Sequence, residues 1–302
     1  MAEHIEFVKM SGCGNDFVMV DAVRAPLSGD LSELARKVCA RRTGVGADGL
    51  VILERGQADS FRVRIFNPDG SEAEMCGNAM RCVARFARMK GHAGDEIAVE
   101  TLAGLLRARI VGDDAQVQMT PPAGAELEFP VEVDGVRRVV SFINTGVPHA
   151  VVFVEDVSRV NVEKVGRALR FHPRFAPAGT NVDFAQVLGP AHLAMRTYER
   201  GVEGETLACG TGATAAAALA RLIGRVTEDT VRVDVPGGSL LIGLEFTGGE
   251  LTGATLAGEA RVVYRGVTEQ LAPGSSCPAA QVKVGATSPR PIKPVERRRD
   301  NS

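Results

Sequence analysis

The sequence predicts an α/β (α+β) protein made of two similar halves, and three observations point that way. A cysteine followed by glycine opens a helix-like segment at Cys76-Gly77 and again at Cys209-Gly210. Downstream, Val99-Glu100-Thr101-Leu102-Ala103-Gly104-Leu105-Leu106 can be laid on Asp234-Val235-Pro236-Gly237-Gly238-Ser239-Leu240-Leu241, with Gly104 28 residues after Cys76 and Gly238 29 after Cys209. The 302 residues, 45% hydrophobic and 24% charged, suffice for two domains that each close a core. A unit used twice sets its copies across a pseudo-twofold axis and leaves a cleft between them.

In chain order, Ile5 to Val8 reads as a strand, Ser11 to Asn15 as a Gly-rich loop and Phe17 to Asp21 as a second strand. An amphipathic helix is expected from Leu31 to Arg42, with Leu34, Ala35 and Val38 on one face and Cys39 beside them as core filler. Leu50 to Leu53 and the alternating Phe61, Val63 and Ile65 read as strands, and Asn67-Pro68-Asp69-Gly70 as a turn. The helix after Cys76 carries Met80, Val83, Ala84 and Phe86. The helix after Cys209 is built of small residues, runs to Ile223 and is closed by Gly224. Asn15-Asp16-Phe17 has a looser echo in Asn181-Val182-Asp183-Phe184. The expected division is 1–121, completed by a returning strand near 265–272, then 122–264, then a basic tail over 273–302.

The net charge is -2, but the segment from Pro273 onward carries +4, so the body carries -6. That body is no nucleic-acid binder on charge grounds, and the Pro-, Ser- and Gly-rich tail is expected as a solvated end. The stretch MAEHIEFVKM lacks the layout of a signal peptide, and there is no run of 18 apolar residues. A cytoplasmic protein with no membrane partner is expected, its six cysteines (13, 39, 76, 82, 209 and 277) being free thiols rather than three bridges.

A thiol at a helix start faces unpaired backbone N–H groups and the positive end of the helix dipole, a setting that lowers a thiol pKa. The same N–H groups, on Gly77, Asn78, Gly210 and Thr211, can cradle a carboxylate or a developing carbanion. Two such sites aimed at one carbon would let one thiolate remove a proton while the opposite thiol returns one to the other face. That is inversion of a stereocentre α to a carboxylate with no cofactor. Pyridoxal phosphate is disfavoured, because none of the six lysines adjoins a Gly-rich phosphate loop. Zinc is disfavoured because no pair of Cys/His clusters has finger spacing, and a redox dithiol because Cys-x-x-Cys is absent.

Seven motifs extend these readings: Gly14-Asn15-Asp16-Phe17, Gly44-Val45-Gly46-Ala47-Asp48, Asn67-Pro68-Asp69-Gly70-Ser71, Glu74-Met75-Cys76-Gly77-Asn78, Pro148-His149, Thr180-Asn181, and Tyr198-Glu199-Arg200-Gly201 leading into Glu205-Thr206-Leu207-Ala208-Cys209-Gly210. In this order, up to about residue 272, the sequence resembles the diaminopimelate epimerases. The resemblance implies two halves, each a β-barrel-like sheet around a central helix, with the active site between them. It implies interconversion of LL- and meso-diaminopimelate, for lysine and peptidoglycan synthesis, with Cys76 and Cys209 as the acid/base pair. It further implies that Gly77, Asn78, Gly210 and Thr211 bind the reacting centre and that Asn15, Asn67, Asn181, Glu199 and Arg200 recognise the substrate. His149 and Glu199 resemble the pair that tunes the thiols, and Tyr264 matches a position at a homodimer interface.

The chain departs from that pattern at Val147, where many relatives carry a polar Asn, so one contact is either absent or supplied by Asn144. Cys13 adds a third thiol near the loop of Asn15. Two other readings stay open: a proline or hydroxyproline racemase, whose first motif resembles Cys-Gly-His rather than Cys-Gly-Asn, and a non-catalytic amino-acid binder.

Overall fold

The structure is a computed structural model that describes residues 4–57, 60–112 and 114–268. The basic tail over 273–302, and Cys277 with it, lies outside the described residues. The first half runs β1 (Ile5–Gly12), β2 (Asn15–Asp21), α1 (Leu31–Cys39), β3 (Gly49–Arg55), β4 (Phe61–Phe66), β5 (Glu72–Ala73), α2 (Gly77–Met89), β6 (Glu96–Thr101), β7 (Gly104–Val111) and β8 (Asp114–Gln118). The second runs β9 (Ala123–Val133), β10 (Val136–Asn144), β11 (Pro148–Phe153), α3 (Val162–Arg170), β12 (Asn181–Gly189), β13 (His192–Glu199), β14 (Gly204–Thr206), α4 (Gly210–Leu222), β15 (Thr230–Val235), β16 (Gly238–Thr247) and β17 (Glu250–Glu259), before a last strand β18 (Arg261–Thr268).

Strand neighbours follow the order β18-β1-β2-β3-β4-β6-β7-β8 in one half. In the other they follow β9-β10-β11-β12-β13-β15-β16-β17, and β8 pairs antiparallel with β17 to join the two. The orders correspond position by position, including the parallel pairs β2–β3 with β11–β12 and β4–β6 with β13–β15. Both are mixed sheets, each wrapped around one helix.

In the first half Met80, Val83, Ala84, Phe86 and Ala87 of α2 pack against Met10, Phe17, Val51, Ile65 and Val99. The helix is amphipathic in sequence yet buried on most sides, because the curved sheet closes on it. In the second half α4 is enclosed more fully, and Ala213 and Ala215 to Ala220 are all buried among Ile143, Val151, Leu193, Val233 and Leu256. A helix surrounded this closely needs small side chains, which explains the alanine run. Each buried Val, Leu or Phe contributes about 1.5–3 kcal/mol, so a polar residue at Leu219 or Phe86 would undo the core of that half. On the outer faces α1 packs through Leu34, Ala35 and Val38, and α3 through Val162 and Leu169.

Two local expectations change. The first helix stops at Cys39 rather than Arg42, because Ala40 turns extended and Gly44 folds its backbone against the last helical turn, with Gly44 N–H donating to Ala40 O. The strand registers also replace the echo of Asn15 in Asn181. Phe17 lies beside Gly49 across the parallel pair β2–β3, and His149 lies beside Asn181 across β11–β12. The counterpart of His149 is therefore Phe17, and that of Asn181 is Gly49.

Candidate active site

Cys76 and Cys209 are the N-caps of α2 and α4, each with extended backbone and no side-chain cap bond. Extended geometry at the cap turns the chain into the helix while leaving the first N–H groups unspent. One side chain bridges the two helix starts. Asn78, buried in the first turn of α2, donates from Nδ2 to Asn15 Oδ1 at 3.4 Å and to Ala208 O, the carbonyl next to Cys209, at 3.4 Å. The Cys76 thiol faces the same Asn15 Oδ1 at 3.8 Å, and Asn15 is held in turn by Asp48 at 2.9 Å. The α2 and α4 helices are in contact.

Beside the second thiol, Thr211 Oγ1 lies 3.4 Å from Cys209 Sγ, and the Thr211 carbonyl accepts from Thr145 Oγ1 at 3.1 Å. Below it sits a buried polar cluster: His149 Nδ1 is 2.7 Å from Asp183 Oδ2, and Thr197 Oγ1 donates to Asp183 Oδ1 at 2.7 Å. His149 Nε2, on the far side of the ring, is buried without a hydrogen-bond partner among the described residues. A Cβ on Gly212 would collide with Asp183 Oδ1, so the glycine lets the first turn of α4 rest on the acid.

Sequence reasoning expects the helix starts to lower both thiols; the structure reverses the direction. Burial pushes the Cys76 thiol up, the amides of Ala79 and Asn78 pull against it, and the charges of Glu199 and Arg81 act in opposite senses. Burial pushes the Cys209 thiol up much further, with Glu199 and Asp183 adding to the rise and Thr211 opposing it. The dipole and amide effects are present, but removing the sulfur from water outweighs them. Glu199 is itself raised by burial, against the pull of His149. Its charge acts on both sulfurs, raising each.

Among the other predicted positions, Asn181 donates to Pro148 O at 3.0 Å and accepts from Arg200 N at 2.8 Å, tying the strand of His149 to Arg200. The Arg200 guanidinium is half-buried and has no ion pair among the described residues. Gly77 has nothing within 4 Å of where a Cβ would stand, so the first turn of α2 opens onto space, whereas Gly210 is held tightly by Leu256. Asn67 is exposed in the turn between β4 and β5, its amide donating to Ser71 Oγ at 2.9 Å. Tyr264 is exposed on β18 and packs edge-on against Phe7. Asn144 Oδ1 turns back to accept from Gly146 N at 2.9 Å. Cys13 is buried against the Gly237-Gly238 turn of the other half.

Sequence reasoning misses Asp183, Thr197 and Arg81. Asp183 had a signal, as the one charged residue of β12, flanked by Val182 and Phe184, and Arg81 another, as a cation between Met80 and Cys82 on the inner stripe of α2. Among the described residues no cluster of three or more His, Cys, Asp or Glu could hold a metal.

Two sheet-wrapped helices that both begin on a cysteine define a cofactor-independent amino-acid epimerase class. The profile described as Diaminopimelate epimerase matches residues 7–124 and 141–263. The chain belongs to the diaminopimelate epimerase family. It is 46% identical over 273 residues to the diaminopimelate epimerase of Aquifex aeolicus, covering 87% of this chain and 97% of that one. In fold it is similar to a Bacillus anthracis phenazine biosynthesis protein of the PhzF family, at TM-score 0.70 and 16% identity over 88% of this chain and 99% of that one. It is also similar in fold to a probable proline racemase from Agrobacterium radiobacter K84, at TM-score 0.66 and 17% identity over 87% and 92% of the two chains.

Proposed function

We propose that this protein interconverts LL- and meso-diaminopimelate by proton transfer between Cα and two thiols, Cys76 and Cys209. The observation that carries the reading is the Asn78 amide, bonded at once to Asn15 beside Cys76 and to the carbonyl before Cys209. A carbon held between the helix starts presents one face to each sulfur. One thiolate takes the Cα proton, the C–H pair passes to the carboxylate as an enolate, and the N–H groups of Gly77, Asn78, Gly210 and Thr211 at the helix starts take up that charge. The opposite thiol then protonates the other face, so the pair ends with its proton moved from one sulfur to the other.

The distal end of diaminopimelate carries both an ammonium and a carboxylate. Arg200, which has no ion pair among the described residues, suits the carboxylate, and Glu199 suits the ammonium. Asn15, Asn67 and Asn181 complete the recognition in this reading, and His149 with Glu199 sets the protonation of the thiols. The functional division is 1–121 with a returning strand and 122–264. The protein works in the cytoplasm as a homodimer through the face of Tyr264; no helix of the described residues is long and apolar enough to cross a membrane.

The test is turnover of LL-diaminopimelate and of L-proline by the purified chain with no added cofactor. Epimerisation of the first and none of the second is expected. Racemisation of proline alone would assign the protein to the other two-thiol reading.

A further inference from the structure

Arg200, which meets the distal carboxylate in the reading above, sits on a turn that is held by an outer helix. It is the first of the residues from Arg200 to Glu203 that join β13 to β14, where Glu199 pairs with Gly204 and Glu203 N–H donates to Glu199 O at 2.8 Å. Glu203 is bent into the left-handed region at φ +56°, which a residue with a Cβ resists. Its Oε1 gathers the Gly201 N–H at 3.1 Å and the Arg170 Nε and Nη2 at 3.1 and 2.9 Å. Its Oε2 is buried with no hydrogen-bond partner among the described residues. Burial works against charge on Glu203, yet the Gly201 N–H and the Arg170 guanidinium outweigh it and hold the carboxyl below its usual range. A left-handed backbone and a stranded acceptor both cost stability, so stability alone does not select this turn.

Arg170 is the last residue of α3, and its side chain is itself largely buried. Its Nη1 donates to Ala178 O at 3.3 Å, and a Cβ on Gly179, at φ +68°, would collide with that nitrogen. The same segment leads into Asn181, whose Oδ1 accepts the Arg200 N–H at 2.8 Å. The first half repeats the plan with other residues. Arg36 of α1, which precedes β3 as α3 precedes β12, donates to Asp69 O at 3.1 Å in the turn that carries Asn67 between β4 and β5. A Cβ on Gly70 would collide with the Arg36 guanidinium. In both halves an arginine of the outer helix, packed over a glycine, holds the turn that carries an expected substrate contact.

Resting on the reading of Arg200 as the partner of the distal carboxylate, we propose that Arg170 and Glu203 are positioning residues that aim Arg200 and so set the affinity for a substrate with a second charged end. Asn181 holds the N–H of Arg200, and Glu203 holds the N–H of Gly201. These belong to the two peptide planes on either side of the Arg200 Cα, and fixing both planes fixes the direction in which the side chain leaves the turn. Arg170 in turn fixes the Glu203 carboxylate, because two of its nitrogens converge on the one oxygen that also meets Gly201. Charge on Glu203 is used within the turn, and the Arg200 guanidinium is left for the substrate.

The test is a double-mutant cycle on KM and kcat for diaminopimelate in the full chain. Glu203→Gly removes the carboxylate and relieves the left-handed backbone, so the thermal midpoint should move little. KM should nevertheless rise about tenfold, with a smaller change in kcat. In an Arg200→Ala background the same substitution should change KM by less than about twofold, since no guanidinium is left to aim. Glu203→Gln, which keeps an oxygen for Gly201 and Arg170, should recover most of the loss, and Arg170→Met should behave as Glu203→Gly does. An unchanged KM in Glu203→Gly overturns the proposal. So does a rise that persists undiminished in the Arg200→Ala background, which marks a structural role. If Arg200→Ala raises KM and Glu203→Gly does not, the recognition role of Arg200 stands and only this proposal falls; if Arg200→Ala leaves KM unaltered, both fall together.

Discussion

His149 Nδ1 and Asp183 Oδ2 lie 2.7 Å apart with neither side chain exposed, and Thr197 closes the other side of the carboxylate at 2.7 Å. Truncating the acid strands two buried donors, each costing about 1–3 kcal/mol when left unpaired. Asp183→Ala should therefore destabilise the protein by roughly 3 kcal/mol in urea unfolding. Thr197→Val, which removes only one partner, should cost about 1 kcal/mol.

Two glycines test the cleft in opposite ways. Gly77 faces open space and Gly237 packs on the carbonyl of Cys13 from the other half. Gly77→Ala should leave thermal stability nearly unchanged yet lower kcat/KM at least about tenfold, since a methyl group there occupies the anion cradle. Gly237→Ala should cost about 1–3 kcal/mol of stability, because the backbone it meets cannot move aside.

Arg200 offers a charge with no ion pair among the described residues, and charge-assisted bonds contribute about 1.5–3 kcal/mol. Arg200→Ala should raise KM for diaminopimelate by roughly 10- to 100-fold, with a smaller effect on kcat. Arg200→Lys should recover little of it, since a point charge lacks the planar fork.

The duplicated plan, both central helices and both thiol positions are legible in the sequence because they rest on local signals: glycine at a helix start, small residues along a helix, and a matching turn 28 and 29 residues on. The end of α1 was not legible, since Arg41 and Arg42 continue a helical pattern that only the packing of Gly44 interrupts. Arg81 and Asp183 escaped because a charge in an apolar run gives no hint of its partner: Asp183 meets His149 and Thr197 from the neighbouring strands, and Arg81 meets Asn78 one turn back on its own helix. The reversed direction of the thiol shifts has the same origin. Helix position is local, but burial of the sulfur depends on both halves together.

Burial holds the Cys39 thiol at about 11, against 9.0 for an ordinary thiol. The folded chain keeps this proton where the unfolded chain has lost it, so the contribution is whole below pH 9 and disappears as pH rises toward 11. In the wild-type protein this site alone should remove about 2–3 kcal/mol of stability between those limits. Urea unfolding at pH 7.5 and 10.5 should show a smaller fall for Cys39→Ala.

The central claim, one sulfur on each face of a single carbon, is tested most directly by the isotope content of substrate and product at low conversion in deuterated water. Beginning from protiated LL-diaminopimelate, the meso product should carry one deuterium at the inverted Cα, delivered by the second thiol, while unreacted substrate stays protiated. Product that retains the original proton at that carbon would show a single group working both faces, and would contradict the account.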